Sequence, residues 1–179
     1  MNWKSIGVIA EVIGVIAIFV SLVYLAVQVR QSNLIAAAEA ERDILQSWMH
    51  GLEGFVDSDR TTEFFLKGLA DFDVLTPVEK TRLSYRLAQL NMVYIAALEN
   101  EKKGLIAPHL VTSFGDVVFS YITSPGGRQW WETTGRFYTN AEEINQRIEK
   151  EGDTFPSFLE TMPYHKLDPD DEANADIDT

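Results

Sequence analysis

Residues 6–29 read IGVIAEVIGVIAIFVSLVYLAVQV, an apolar run in which Glu11 is the only acidic or basic residue. At about 1.5 Å per residue, a helix from Trp3 to Tyr24 spans roughly 30 Å, the hydrocarbon thickness of a bilayer. Trp3 and Tyr24 are aromatic residues of the kind that prefers the headgroup boundary. The run predicts a transmembrane helix, with residues 1–31 as a membrane anchor and the lipid bilayer as a partner.

A cleaved signal peptide is the competing interpretation of this segment, because Met1–Lys4 is a short positive start. Secretory apolar regions run about 7 to 15 residues and are followed by a cleavage site of small residues. The run observed here is longer, contains an internal carboxyl group and is not followed by such a site. A retained anchor is therefore the preferred interpretation.

Small residues mark one face of the predicted span. They are spaced three, four, three and four residues apart, and this repeat keeps them on one stripe of a gently supercoiled helix. Two backbones could approach closely along such a stripe, although small residues are also common in membrane helices in general. Together with the carboxyl group that borders it, the stripe predicts a helix–helix interface at Gly7, Ala10, Glu11, Gly14, Ala17 and Ser21.

Glu11 requires a partner inside the hydrocarbon layer. An ionised carboxylate at the centre of a lipid-facing helix costs about 2.5 to 3.5 kcal/mol on insertion scales. A neutral carboxyl group both donates and accepts hydrogen bonds, and an interhelical hydrogen bond in a membrane contributes about 0.6 to 2 kcal/mol. We therefore expect a homo-oligomer or a subunit of a membrane complex. A proton or cation conduit centred on Glu11 is an alternative, although no polar residue between Glu11 and Ser21 would continue its path.

The composition excludes several classes of protein. The chain has 179 residues and a formal charge of −12, which argues against a nucleic-acid partner because such proteins carry a basic face. It contains no cysteine, and this excludes disulfides, thiolate metal sites and thiol nucleophiles.

Residues 167–179 are predicted to form a disordered, solvated tail because they carry acidic residues and no basic ones. The acidic residues are Asp168, Asp170, Asp171, Glu172, Asp176 and Asp178.

Residues 32–166 are predicted to form a helical bundle whose first helix continues from the anchor, either without interruption or with a slight break near Ser32-Asn33. Apolar residues after Ser32 recur at helical spacing, so the first helix is expected to run to about Val56. These residues are Leu34, Ile35, Ala38, Leu45, Trp48, Met49 and Leu52. The predicted fold class is all-α, with a transmembrane helix that continues into the bundle.

Capping and breaking residues mark the other helix boundaries. Thr76-Pro77-Val78-Glu79 is a capping box with proline at the first helical position, and Gly104 ends the helix that it opens. Further helix starts are predicted after Asp57-Ser58-Asp59, near Pro108, at Ser124-Pro125 and at a second capping box, Thr139–Glu142, whose helix ends at Gly152. An extended segment is expected to pack on the bundle through Phe155, Phe158, Leu159, Met162 and Tyr164.

The sequence contains no recognisable catalytic or metal-binding pattern. His50, His109 and His165 lack the four-residue spacing of a helical two-histidine metal site. His50 and Glu53 share a helix face, but nothing completes a di-iron set around them, and a surface pair is the preferred interpretation. Hydrolase elbows, phosphate loops and dinucleotide fingerprints are absent from the sequence. We predict no enzymatic activity, no cofactor and no metal.

Polar and aromatic residues of the bundle give a possible ligand or partner surface. Pro125-Gly126-Gly127-Arg128 could bind an anion through amide groups and the guanidinium, but a turn with an exposed arginine is the preferred interpretation. Trp130 and Trp131 would point about 100° apart on a helix, so at most one fits the core centre while the other lies at its edge. The possible surface comprises Arg86, Asn91, Arg128, Trp130 and Trp131.

Several segments carry a resemblance to a known family. They are Trp3-Lys4-Ser5-Ile6-Gly7, Glu11, Gly14, Tyr24–Gln31, Leu75–Glu79, Gly104–Ile106 and Pro125–Trp131. In these segments the chain resembles an uncharacterised family of small bacterial single-span membrane proteins, up to about Phe158. The resemblance implies an inner-membrane anchor with an intramembrane glutamate and a helical C-terminal domain, and it implies no activity. Lys4 departs from the family, in which an acid is usual at that position.

The charges beside the span bear on its orientation. Lys4 favours an N-terminus on the cytoplasmic side, whereas Arg30 and Arg42 favour a cytoplasmic domain. Because the family has basic residues only after the span, we expect the domain to be cytoplasmic. The predicted function is a membrane-anchored scaffold or interaction protein. A ligand sensor lined by Arg86, Asn91, Arg128 and Trp131 is the alternative from another class, beside the conduit.

Overall fold

The computed structural model describes the backbone of residues 3–55 and 58–161, with side chains from residue 11 onward. Within these ranges the chain forms helices and no strand. The helices are α1 Trp3–Glu53, α2 Asp59–Ala70, α3 Pro77–Lys102, α4 Pro108–Thr123, α5 Pro125–Thr134, α6 Ala141–Glu151 and α7 Phe158–Thr161, with a 3-10 turn at Gly135–Phe137. The predicted all-α class is confirmed, and the acidic segment 167–179 lies outside the described residues.

Helix α1 is continuous over 51 residues, which makes it roughly 75 Å long at about 1.5 Å per residue. By length and composition it is the one helix in the described part of the chain that could cross a membrane. Its side chains from residue 11 to residue 36 are all exposed, and its last turns enter the bundle, where Trp48 and Gly51 are buried. The predicted boundary between anchor and bundle, at residue 31, therefore falls within one unbroken helix.

The boundaries of α2, α3 and α5 follow from the predicted capping residues. Ser58 caps α2 by accepting a hydrogen bond from the Thr61 amide. Thr76 and Glu79 cap α3 reciprocally, and α3 ends just before Gly104, whose φ of 70° lies in the left-handed region. Ser124 separates α4 from α5 and caps α5. These local signals are sufficient to place the helices because each satisfies backbone groups at a helix end.

The second predicted capping box is wrong. Helix α6 begins at Ala141, and its N-cap is Asn140 rather than Thr139. The Asn140 side chain makes no capping hydrogen bond, because it points into the core and pairs there with Asn91. The tertiary contact therefore takes precedence over the local capping pattern.

Aromatic side chains fill much of the core around α2, α4 and α7. The Phe158 ring lies 5.9 Å from the Phe65 ring and 4.5 Å from the Tyr121 ring. The segment that contains Phe158 was predicted to be extended, but it forms the short helix α7, whose first turn is capped by a hydrogen bond from the Ser157 amide to Glu160. Met162 and Tyr164, which were expected to pack alongside, lie outside the described residues.

Glycine allows α5 to approach α2 very closely. A Cβ atom at Gly126 would collide with the carbonyl oxygen of Gly68 and would lie 2.8 Å from the amide nitrogen of Phe72. That amide donates a hydrogen bond of 2.7 Å to the Gln129 side chain on α5. The Gly126-Gly127 pair is thus the first turn of α5, and the prediction of a helix-breaking turn with an exposed arginine is wrong, since Arg128 is partly buried.

Candidate functional site

The described residues of the predicted interface lie on the exposed part of α1. Glu11, Gly14, Ala17 and Ser21 are all exposed within the single chain, and a Cβ atom at Gly14 would meet no atom within 4 Å. Packing within the chain therefore does not require a glycine there. The Ser21 hydroxyl donates a 2.8 Å hydrogen bond to the Ala17 carbonyl, so its polar group is satisfied within the helix. For Gly7 and Ala10, also predicted in the interface, the structure describes the backbone alone.

The spacing of these small residues continues along α1 beyond the span. Steps of three and four residues from Ser21 lead to Tyr24, Gln28, Gln31, Ile35, Ala38, Arg42, Leu45 and Met49. We call this set of residues, together with Gly14, Ala17 and Ser21, the α1 stripe. Every member of the α1 stripe is exposed, and Gln28 donates a 2.7 Å hydrogen bond to the Tyr24 hydroxyl along it. A heptad spacing of this kind is typical of helices that pair side by side.

The bundle packs against a different face of α1. Ile44, Trp48 and Leu52 contact the core. At about 100° per residue, this face lies roughly 100° from the part of the α1 stripe between Ile35 and Met49. The Trp48 ring lies 4.5 Å from the Phe114 ring of α4. Four large apolar residues of the predicted helical pattern remain uncovered, with exposed fractions of 64% at Leu34, 59% at Ile35, 37% at Leu45 and 57% at Met49.

A buried asparagine pair joins α3 to the start of α6. Asn91 is fully buried and Asn140 is 6% exposed. Each amide nitrogen donates to the other residue's amide oxygen, over 3.3 Å from Asn91 and 2.8 Å from Asn140. Because the two side chains satisfy one another, Asn91 is not available to a ligand in this arrangement.

Further polar contacts tie α6 to α3 and α4. The Tyr94 hydroxyl donates a 2.9 Å hydrogen bond to Glu143, and burial, with this hydrogen bond and the Glu143 charge, raises the pKa of Tyr94. Arg147 binds Asp116 over 2.6 Å and Glu151 over 2.8 Å. Burial opposes the charge of Arg147, but the two carboxylates outweigh burial and raise its pKa. These groups therefore hold helices together.

The other predicted surface residues on α5 are also engaged within the bundle. Arg128 donates a 2.6 Å hydrogen bond to the Gly152 carbonyl and contacts Asp153. Trp131 donates a 2.9 Å hydrogen bond to Asn145, and its ring stacks on Tyr138 at 5.7 Å. Because of these contacts, Arg128 and Trp131 do not form a common ligand-binding surface with Asn91.

Both tryptophans of α5 are buried, with exposed fractions of 1% at Trp130 and 4% at Trp131. The prediction that one of the two rings would lie at an exposed edge is therefore wrong. The reason is that the chain turns back after α5, so that Tyr138 covers Trp131. Trp130 fills the core, and its indole nitrogen has no hydrogen-bond partner among the described residues.

A cleft between α2 and α3, close to the end of α1, has a volume of about 1020 Å³. Basic side chains line it from both walls, and we call it the basic cleft, defined by Arg60 and Lys67 on α2 and by Arg82 and Arg86 on α3. Arg86, the one predicted surface residue in this cleft, packs against Gly54, where a Cβ atom would collide with its guanidinium.

The charge of the basic cleft is only partly balanced. Glu63 and Glu79 are its acidic lining residues. Glu79 accepts hydrogen bonds from the Thr76 amide and hydroxyl. These bonds, with a smaller contribution from the charges of Lys67 and Arg60, lower the pKa of Glu79. Within the described ranges, none of the four basic side chains lies within salt-bridge distance of a carboxylate.

Among residues 11–55 and 58–161, no group of three or more histidine, aspartate or glutamate side chains could hold a metal ion. The predicted surface pair His50 and Glu53 is present, with 3.7 Å between Nδ1 and the carboxylate. Comparisons of the chain with family models, curated proteins and solved structures return no match.

Proposed function

We propose that the protein is a membrane-anchored helical scaffold that self-associates through α1 and thereby pairs its bundles at a fixed distance from the bilayer. The observation that carries this proposal is the exposure of the whole α1 stripe on one continuous helix. We propose the bacterial inner membrane as its location, with a cytoplasmic domain, on the resemblance and on Arg30 and Arg42 after the span.

The part of α1 outside the bilayer supports a second copy as the occupant of the α1 stripe. Ile35, Leu45 and Met49 are apolar and exposed to water, so their burial is favourable in a way that burial of lipid-facing side chains is not. They continue the register of Gly14, Ala17 and Ser21. Two copies with the same membrane orientation would be parallel, and one unbroken interface would then run from the span to the bundle.

The dimensions of α1 support a spacer role. From Val29 to Glu53 the helix extends about 36 Å at about 1.5 Å per residue. The bundle packs on a different face from the α1 stripe, so a paired helix would leave both bundles on the outside of the pair. We propose no catalytic activity for the bundle. Its asparagine pair, the Tyr94 hydroxyl and the Arg147 guanidinium are all engaged in contacts between helices.

Replacement of Glu11 tests the membrane part of this interface. The variant Glu11→Ala should weaken self-association by about 3- to 30-fold, because an interhelical hydrogen bond contributes about 0.6 to 2 kcal/mol. The full-length chain in a mild detergent would be followed by native mass spectrometry over a range of protein-to-detergent ratios. Val15→Ala, a substitution of an exposed residue outside the stripe, is the matched control and should leave the mass distribution unchanged.

Two results would contradict the proposal. One is a wild-type chain that is monomeric at every ratio. The other is an oligomer whose mass distribution responds equally to Glu11→Ala and Val15→Ala. The first result would show that the chain does not self-associate. The second would show that Glu11 does not lie in the interface.

A further inference from the structure

We propose that the basic cleft is the docking site of the chain's own acidic C-terminal segment, residues 168–179. The cleft concentrates positive charge in a protein of strongly negative charge. Four of the 15 lysine and arginine residues line it, whereas the chain as a whole carries −12. A cleft lined mainly by cations raises the local concentration of anionic groups, whether they come from solution or from the same chain.

The basic groups of the cleft lie on both of its walls. Arg60 and Lys67 lie on α2, and Arg82 and Arg86 lie one helical turn apart on α3. The contact with Gly54 restrains the Arg86 guanidinium, which leaves less conformational freedom to lose when it binds a carboxylate. None of these groups forms a salt bridge within the described part of the chain. Glu79 attracts Lys67 and Arg60 through its charge without contacting them, so all four groups can still pair with the carboxylates of an acidic segment.

Anionic lipid is a poor occupant because of the position of the cleft. The cleft is lined by Gly54, and the path along α1 from Tyr24 at the headgroup boundary to Gly54 covers about 45 Å. Electrostatic attraction to a membrane surface falls off within a Debye length of about 8 Å at physiological salt. With α1 upright, the basic cleft is therefore outside the reach of the bilayer charge.

The acidic segment can reach the cleft from the point where the described chain ends. Thr161 is the last residue of α7, and Phe158 of that helix packs against Phe65 of α2, which forms one wall of the cleft. The seven steps from Thr161 to Asp168 can extend up to about 23 Å, which exceeds the thickness of about 10 to 12 Å of the helix to be crossed. A tether of this length gives a millimolar effective concentration.

The charges are complementary and their binding would be reversible. Residues 168–179 carry six acidic side chains and no basic one. Exposed ion pairs are individually weak and are screened by salt, so docking is expected to add little to the stability of the bundle. An external anion that uses the cleft would first have to displace the segment. The inference goes beyond self-association and holds equally for a single chain.

Distance measurement between two introduced cysteines tests the docking, since the chain contains no other cysteine. One label replaces Tyr85, an exposed residue of the cleft lining, and the other replaces Ala175, between the acids of the segment. The full-length chain would be studied in nanodiscs of zwitterionic lipid by pulsed electron resonance, with labelled chains diluted by unlabelled ones. We expect a short-distance population at about 0.01 M salt, where the Debye length is about 30 Å, that is lost at about 1 M, where it is about 3 Å.

Charge reversal provides the matched comparison. Arg82→Glu with Arg86→Glu should lower the short-distance population at least about threefold, whereas Arg136→Glu with Lys150→Glu, at exposed positions outside the cleft lining, should preserve it. If the charge reversal changes the near-ultraviolet circular dichroism, the neutral variant Arg82→Gln with Arg86→Gln is used instead. We expect this variant to lower the short-distance population by a smaller factor. The docking is refuted if the short-distance population does not change with salt or falls equally in both charge-reversal variants. It is also refuted if this population is seen only when the labelled chains are not diluted by unlabelled ones.

Discussion

The substitution Gly126→Ala is expected to destabilise the bundle by about 3 kcal/mol or more, at the upper end of the cost of overpacking a core. An added Cβ atom would collide with the carbonyl oxygen of Gly68 and crowd the amide of Phe72. Both are backbone atoms, so no side-chain rotation can relieve the contact. α5 would have to move away from α2, and the hydrogen bond from the Phe72 amide to Gln129 would lengthen with it.

Urea unfolding of the full-length chain in detergent micelles measures this effect. The near-ultraviolet circular dichroism of the buried Trp130 and Trp131 reports the packing around α5. Glu132→Ala, at an exposed position of the same helix, is the control and should change the free energy of unfolding by less than about 0.5 kcal/mol. Equal midpoints for Gly126→Ala and Glu132→Ala would show that the two helices are not in backbone contact.

Single replacements in the buried asparagine pair are expected to destabilise the bundle by about 1 to 3 kcal/mol each. Asn140→Leu leaves the fully buried amide of Asn91 without its partner, and a buried donor or acceptor left unsatisfied costs about 1 to 3 kcal/mol. Asn91→Leu leaves the buried amide of Asn140 without its partner in the same way. Asn140 makes no side-chain capping bond, so its replacement removes no cap from α6.

The double variant distinguishes this pairing from general disruption of the core. Asn91→Leu with Asn140→Leu removes both polar groups, and replacement of both partners by apolar groups of similar shape can be nearly neutral. We expect the double variant to be more stable than the sum of the single costs predicts, by at least about 1 kcal/mol. Additive costs in the same urea experiment would mean that the two amides do not interact.

Local signals in the sequence were sufficient to predict most of the fold. The capping box at Thr76–Glu79, the prolines at Pro108 and Pro125, and Gly104 each act on backbone groups within a few residues. Such effects are independent of the remainder of the chain, and the structure confirms the corresponding helix boundaries. The passage of α1 from anchor to bundle was predictable for the same reason, since no proline or glycine lies between Ser32 and Trp48. The structure shows that α1 does not break near Ser32-Asn33, which the sequence alone had left open.

Contacts between distant segments could not be predicted in this way. Asn91 and Asn140 lie 49 residues apart, and nothing local distinguishes a pair of buried amides from a ligand site or a helix cap. The burial of Trp131 likewise depends on the turn that places Tyr138 over it. Arg86 was predicted on a possible surface, but the basic residues on the opposite wall of the basic cleft, Arg60 and Lys67, come from another helix.

The apolar residues of α1 illustrate a further limit. Leu45 and Trp48 belong to the same helical pattern, yet Trp48 is 7% exposed and Leu45 is 37% exposed. Periodicity identifies apolar positions but does not say whether the bundle or a second chain covers them. Once the structure assigns Trp48 to the bundle face, the register of the α1 stripe becomes visible from Gly14 to Met49.

Cysteine scanning of α1 in native membranes tests self-association most directly, since the chain has no cysteine of its own. Single cysteines would replace Ile35, Ala38, Leu45 and Met49 on the α1 stripe, and Ala36, Asp43 and Ser47 on an exposed face away from it. Self-association through α1 predicts oxidative cross-linking of the stripe variants into dimers, with a spacing of three and four residues, and little cross-linking of the other three. Equal cross-linking of the two sets, or none at the stripe positions, would contradict it.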